Sequence, residues 1–250
     1  MGIRLHKLII GIMVMMMGVG CGKLPEQRGP TGLVSHINSY TVALMGITSE
    51  GEFRTYCTGV WVSEKMIVTA NHCAEAAAEI KLGKEAAGEL ESLEGVVVYY
   101  SVMGEVDEVG KSTFGIHASE VMETDGDHDL ALLRVSGGVI PAHESAKLAR
   151  VAPGVGEEVH VVGQVKGLFW SYVKGVVSGY RGSLPERMLP GDNFVGPFMQ
   201  VSAPVYFGNS GGGAFNGDGE LVGIVSFSGG APNTAMFVHL SSIRKLLTVK

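Results

Sequence analysis

Charge, aromatic rings and cysteine are all scarce in this chain of 250 residues. Asp, Glu, Lys and Arg together make up 18%, aromatic residues 7%, and there are three cysteines. The charge that exists is lopsided, with 25 acidic against 19 basic residues and a net charge of −6. Two of the basic residues, Arg4 and Lys7, lie in the first twenty positions, which hold no acidic residue; the rest of the chain keeps 17 against 25, a net −8. An acidic balance argues against nucleic acid as a partner and against electrostatic docking to anionic lipid. No Cys/His cluster and no nucleotide-binding loop is evident, so no metal and no organic cofactor is implied. His117, His128, His143, His160 and His239 show no ligand spacing and read as surface or satisfied core positions. There is no internal repeat, no low-complexity tract and no room in these residues for an appended PDZ-type module. The apolar run at residues 8–19 is shorter than the about 20 residues that a membrane-spanning helix needs.

That run fits export instead. A basic start, a short apolar core and small residues before a break describe a signal peptide over residues 1–20. Gly18-Val19-Gly20-Cys21 resembles a bacterial lipobox, whose cysteine becomes the lipidated first residue of the mature protein; Gly18 stands where that motif usually has leucine. An odd cysteine in an exported chain needs an explanation, and the resemblance implies lipidation at Cys21. An uncleaved anchor and a conventional signal peptide cut nearby are the alternatives. Residues 21–34, with Pro25, Gly29 and Pro30, read as a tether. The chain is expected on the periplasmic or extracellular side, held to the membrane through Cys21.

The most informative residues are Gly208-Asn209-Ser210-Gly211-Gly212. Glycines on both sides of a serine permit a tight turn and leave room for a close approach, and backbone N–H groups around such a serine can converge on a developing oxyanion. A serine hydroxyl needs a base within hydrogen-bond reach, and the base needs a third group to orient it. Among the eight histidines, His72 has the distinctive setting, Thr69-Ala70-Asn71-His72-Cys73, where a strand ends and a loop or short helical turn begins. Asp129 immediately opens the apolar run 130–135; a carboxylate buried there needs a hydrogen-bonding partner, which an imidazole N–H would supply. Asp125 and Asp127 are rival acids in a stretch that reads as a solvated loop.

These three blocks, in the order His, Asp, Ser, resemble the signatures of the chymotrypsin/trypsin-like serine peptidases, and Leu221-Val222-Gly223-Ile224-Val225-Ser226 resembles the family's strand after the nucleophile. The resemblance covers roughly residues 35–248. It implies an all-β fold of two perpendicular antiparallel β-barrels with a short C-terminal helix, one barrel over about 35–140 and the other over about 150–240. It implies His72 as general base and acid, Asp129 as its orienting carboxylate, Ser210 as nucleophile, and the N–H groups of Gly208 and Ser210 as oxyanion hole. It also implies a disulfide between Cys57 and Cys73, which in the chain-entropy model would stabilise by about 3 kcal/mol and requires an oxidising compartment. Asn209 replaces the aspartate with which digestive members pair a new N-terminus. That change resembles bacterial HtrA-type members and implies no N-terminal zymogen switch.

By the same resemblance, the pocket for the residue before the cleaved bond is set by Ala203, Pro204, Val205, Ser226, Phe227, Ser228 and Ala235. None carries a charge, so small or medium apolar side chains are expected there rather than Lys or Arg, and the partner is a protein or peptide substrate. A catalytically weak binding or scaffold lipoprotein of the same fold is the competing function. A serine esterase of another fold fits poorly, because its histidine comes last in the chain.

The strand signals agree with an all-β chain. Short apolar, β-branched runs lie at 42–47, 60–62, 66–68, 96–100, 130–135, 159–162, 176–178, 198–202 and 221–227. Asn216-Gly217-Asp218-Gly219 is a hairpin turn. Residues 74–93 are expected to be partly helical, and 241–248 to form a helix capped by Ser241 or Ser242.

Overall fold

In the computed structural model, residues 32–47, 53–79, 96–106, 112–136, 144–166, 168–184 and 194–248 are described. The expected signal peptide, Cys21, most of the tether and residues 80–93 of the insertion lie outside them.

Six strands close the first barrel: β1 (Thr41–Ile47), β2 (Phe53–Trp61), β3 (Met66–Thr69), β4 (Val96–Val106), β5 (Ser112–Asp125) and β6 (Leu130–Ser136). Their order is β1-β2-β3-β6-β5-β4, and antiparallel pairing of Leu44 with Val98 joins the two ends. The second barrel is built from β7 (Glu158–Val165), β8 (Leu168–Arg181), β9 (Phe198–Ser202), β10 (Gly213–Phe215), β11 (Leu221–Ser228) and β12 (Ala235–His239). Ala214 opposite Val161 closes it. Read from β7, its order is β7-β8-β9-β12-β11-β10, the same path as the first barrel takes. Closure leaves neither sheet an open edge.

The longest apolar run marks a strand buried on both faces. All of 221–226 in β11 is buried. β8 instead alternates between exposed and buried over 174–179, with Lys174, Val176 and Ser178 facing water. This period-2 pattern leaves no continuous run, so only 176–178 of its fourteen residues is legible as strand. β5, with Glu120 and Glu123 on it, and β12 carry no long apolar run either and go unread in the sequence, whereas β10 is implied by the hairpin turn at 216–219.

Three helices complete the described chain. α1 (Gly32–Ser39) begins inside the expected tether; Leu33 packs on the core and Ile37 is buried in it, so the folded unit starts before residue 35. α2 (Asn71–Glu79) follows β3 directly. α3 (Leu240–Thr248) packs on β11 and β12 of one barrel and on β5 and β6 of the other. It buries Ile243 and Leu246 in a core cluster that also holds Trp61, Leu133, Val162 and Phe215, so both barrels share it. Each such side chain contributes about 1.5–3 kcal/mol. The cap of α3 is not Ser241 or Ser242: Nδ1 of His239 accepts the Ser241 N–H at 3.2 Å.

Candidate active site

His72 is the second residue of α2. Its strand-to-helix junction is pinned by the Cys57–Cys73 disulfide, with Cα atoms 6.0 Å apart, so the expected pairing is present. The two sulfur atoms and a ring nitrogen of His72 lie within 4.8 Å of one another, but the sulfurs are bonded to each other and can hold no metal.

Asp129 ends the turn 125–129 that connects β5 to β6. Its N–H donates to the Gly126 carbonyl at 3.2 Å, and its φ of 53° lies in the left-handed region, which Asp tolerates better than most residues. The turn drives the side chain inward to 0% exposure. There Oδ1 accepts the His72 backbone N–H at 3.0 Å, and His72 Nδ1 lies 3.0 Å from both oxygens. The Ser226 hydroxyl donates to Oδ2. The buried carboxylate therefore meets donors from two barrels, which offsets its desolvation. The imidazole itself is 38% exposed. With Nδ1 donating to Asp129, the neutral ring carries its basic lone pair on Nε2.

Of the rival acids, Asp125 is engaged elsewhere and Asp127 is exposed. Asp125 accepts from His128 Nδ1 at 2.9 Å and from the His128 N–H at 3.2 Å, and both side chains are more than four-fifths buried rather than solvated. Asp127 makes its contact through the backbone: its main-chain carbonyl accepts the Val195 N–H at 2.6 Å.

Ser210 lies on the loop between β9 and β10, and its Oγ donates to the Ser226 carbonyl at 3.3 Å. Ser226 thus bridges the sites: its hydroxyl is on Asp129 and its carbonyl on Ser210. Expected among the pocket residues, Ser226 is instead buried and turned to Asp129. A small polar residue in the middle of an otherwise apolar strand, Leu221-Val222-Gly223-Ile224-Val225-Ser226, is the available signal.

Around Ser210 the backbone groups alternate. Asn209 N–H donates to the Tyr206 carbonyl at 3.0 Å, Gly211 N–H to Val225 at 2.8 Å and Gly212 N–H to Asn209 at 2.9 Å. The N–H groups of Gly208 and Ser210 have no acceptor among the described residues. Each is aimed by the carbonyl across its own peptide, because a trans unit is planar with C=O and N–H opposed. Lys166 N–H holds the Phe207 carbonyl at 2.9 Å, and Gly212 N–H holds that of Asn209. Gly208 has a φ of 97°, and a Cβ there would stand 2.0 Å from the Gln164 carbonyl oxygen. Gly211, at 79°, would place one 2.2 Å from the Thr58 carbonyl oxygen. Both positions require glycine. Asn209 is buried, with neither amide atom partnered among the described residues.

Of the other pocket candidates, Ala203 and Ala235 are buried, Pro204, Val205 and Phe227 half-buried, and Ser228 exposed. Ser228 pairs with Ala235 where the 229–234 turn joins β11 to β12. The Phe227 ring packs between Phe194 and Phe198 at centroid distances of 6.0 and 5.9 Å.

A family model described as trypsin-like peptidase domain matches residues 57–224, more than half of the chain. A protein named probable periplasmic serine endoprotease DegP-like, from Marinomonas sp., is 36% identical over 110 residues, 44% of this chain and 22% of its own length. One of the same name from Pseudomonas putida is 39% identical over 108 residues, 43% of this chain and 21% of its own length. The chain thus matches about a fifth of the length of these curated relatives. Among solved structures, the Rv3671c protease from M. tuberculosis in its active form is similar with a TM-score of 0.63 at 17% identity, covering 91% of this chain and 93% of that one. An HtrA-type protease solved with a tripeptide has a TM-score of 0.59 at 20% identity, covering 86% and 61%. At these identities the likeness speaks for the fold.

Proposed function

Because the chain belongs to the trypsin-like peptidase family, we propose that it is an exported serine endopeptidase working through an acyl-enzyme on Ser210. The observation that carries this reading is the buried Asp129 carboxylate holding His72 Nδ1 at 3.0 Å, with Ser226 linking Asp129 to Ser210. In the reaction the Ser210 hydroxyl turns from the Ser226 carbonyl to His72. Nε2 takes its proton as Oγ bonds to the scissile carbonyl carbon and the carbonyl electron pair moves onto oxygen. The N–H groups of Gly208 and Ser210 receive that oxyanion. The C–N bond then breaks, and Nε2 returns the proton to the leaving amine. Water repeats the sequence, giving a proton to Nε2 and its hydroxyl to the acyl carbon, and Ser210 is regenerated. Asp129 stays ionised and stabilises the imidazolium.

The uncharged set Pro204, Val205, Ser228 and Ala235 supports a small or medium apolar residue before the cleaved bond. Asn209 carries no charge to pair with a new N-terminus, which supports activity without an N-terminal cut. The name of the DegP-like relatives calls those proteins periplasmic. Together with the basic, apolar N-terminus it supports export here, with lipid at Cys21 as the anchor.

A fluorophosphonate probe tests the core of this reading. It labels the wild-type chain and fails to label Ser210→Ala, and Ser210→Ala or His72→Ala lowers kcat by about 10⁴-fold or more. Labelling that persists in Ser210→Ala, or none in the wild type, sinks it.

A further inference from the structure

We infer that Thr58 is the positioning residue through which the first barrel holds the oxyanion loop of the second. The inference rests on the peptidase reading of Ser210. Thr58 lies on β2 and is fully buried. Its N–H donates to the Ser210 carbonyl at 2.8 Å, and its Oγ1 donates to the Gly208 carbonyl at 2.6 Å. One residue therefore grips the loop on both sides of Asn209. The direction of its hydroxyl proton is not left open. Oγ1 accepts the Gln164 N–H at 3.1 Å, which leaves its single hydrogen for Gly208. The Thr58 carbonyl in turn accepts from Thr69 Oγ1 at 2.8 Å, on the strand that leads to His72.

The consequence falls on the Gly208 N–H. Lys166 fixes the peptide before Gly208 and Thr58 Oγ1 fixes the peptide after it, so both torsions of this glycine are held. Glycine at a φ of 97° has no side chain of its own to resist rotation. Without the hydroxyl, the Gly208 carbonyl loses its donor, and the peptide between Gly208 and Asn209 is held only by the Asn209 N–H on the Tyr206 carbonyl, so the N–H aimed at the oxyanion is held less firmly. The γ-methyl acts separately. Cγ2 lies 3.3 Å from where Gly212 would carry a Cβ, so it packs beneath the loop. Threonine supplies both groups, and each can be removed alone.

The test is steady-state kinetics on the full chain with Thr58→Val, which keeps the methyl, and Thr58→Ser, which keeps the hydroxyl. Removing an oxyanion donor outright costs about 10²- to 10³-fold in kcat; loosening one of the two donors is expected to cost about 10- to 100-fold in Thr58→Val with KM within about threefold. A peptide boronate, whose tetrahedral oxygen occupies the hole, loses affinity by the same factor, while an uncleaved product peptide does not. Thr58→Ser keeps kcat within about threefold of wild type. Thr58→Val with unchanged kcat and boronate affinity overturns the assignment and leaves the peptidase reading standing. A wild type that neither hydrolyses peptides nor takes the fluorophosphonate label overturns both. Should Thr58→Val fail to fold, Thr58→Ser decides alone: a tenfold loss of kcat there shows that the hydroxyl is not what holds the loop.

Discussion

The two barrels follow the same strand path yet bring different kinds of chemistry to the residues around Asp129 and Ser210. The first supplies side chains with charge and basicity: Asp129, fully buried and met by the His72 backbone, the His72 ring and Ser226, and His72 itself on a junction pinned by a disulfide. The second supplies uncharged groups, the hydroxyls of Ser210 and Ser226 and a stretch of backbone. Gly208 and Gly211 occupy conformations closed to other residues, and the Asn209 side chain between them is buried without a partner among the described residues. Burying a charge demands donors, whereas aiming an N–H demands only that the neighbouring carbonyls be held. The difference teaches that the same closed barrel serves two ends: one positions a charge by satisfying it, the other positions a dipole by holding the carbonyls beside it.

That contrast can be broken in the first barrel without changing shape. Asp129→Asn keeps the volume but offers His72 Nδ1 an amide, which can donate where a carboxylate only accepts. The wrong tautomer then puts a proton on Nε2. We expect kcat to fall by about 10⁴-fold with the circular dichroism spectrum unchanged. A loss under tenfold, measured on peptide substrate, would mean that the charge is not what this barrel contributes. In the second barrel the corresponding lever is steric. Gly208→Ala adds a single methyl that would stand 2.0 Å from the Gln164 carbonyl oxygen. The loop must move to admit it. One oxyanion donor is then lost, for an expected drop in kcat of about 10²- to 10³-fold with KM nearly constant. Because His72, Asp129 and the hydroxyl of Ser210 remain, the fluorophosphonate probe still labels this variant, though more slowly. Complete loss of labelling would instead place the damage in the nucleophile.

How much of this is legible in the sequence follows the same division. His72, Asp129 and Ser210 announce themselves because charge, basicity and a glycine-flanked hydroxyl are written in residue type. Asp129 can be read as buried because it opens an apolar strand. Thr58 cannot be read: a threonine in a strand is ordinary, and its importance lies in contacts with Gly208 and Ser210, 150 and 152 positions later. Ser226 is visible as a candidate but with the wrong neighbour, since adjacent residues of a strand face opposite ways and the sequence does not say which face meets Asp129. The fold divides likewise. A strand buried on both faces, such as β11, shows as an apolar run, while β8, wet on one side over 174–179, hides behind polar alternation. The early start of α1 escapes notice for a further reason: Pro30 and Gly29 make residues 21–34 look like linker, and only the burial of Ile37 reveals that the helix belongs to the core.

The smallest expected effect concerns α3, which packs on both barrels and so joins what the comparison separates. His239, the last residue of β12, caps it. Nδ1 accepts the Ser241 N–H at 3.2 Å, a bond that needs the unprotonated nitrogen, and lies 2.8 Å from the Ser241 hydroxyl. Burial, reinforced by the charge of Arg244, holds the imidazole below its usual pKa of 6.5, and a cation at a helix N-terminus is unfavourable. The folded protein therefore resists a proton that the unfolded chain accepts. Stability from this group is complete above about pH 6.5 and is lost progressively as the pH falls below it. An N-cap of this kind contributes about 1 kcal/mol, which for a domain of this size corresponds to about 2–4 °C in Tm. His239→Asn retains an acceptor at the cap but does not titrate. On lowering the pH from 7.5 to 5, wild type is expected to lose about 2–4 °C more than this variant, both measured by thermal unfolding at constant ionic strength. If both lose the same amount, the joint between the barrels does not depend on His239, and the pH sensitivity of the fold lies with the carboxylates instead.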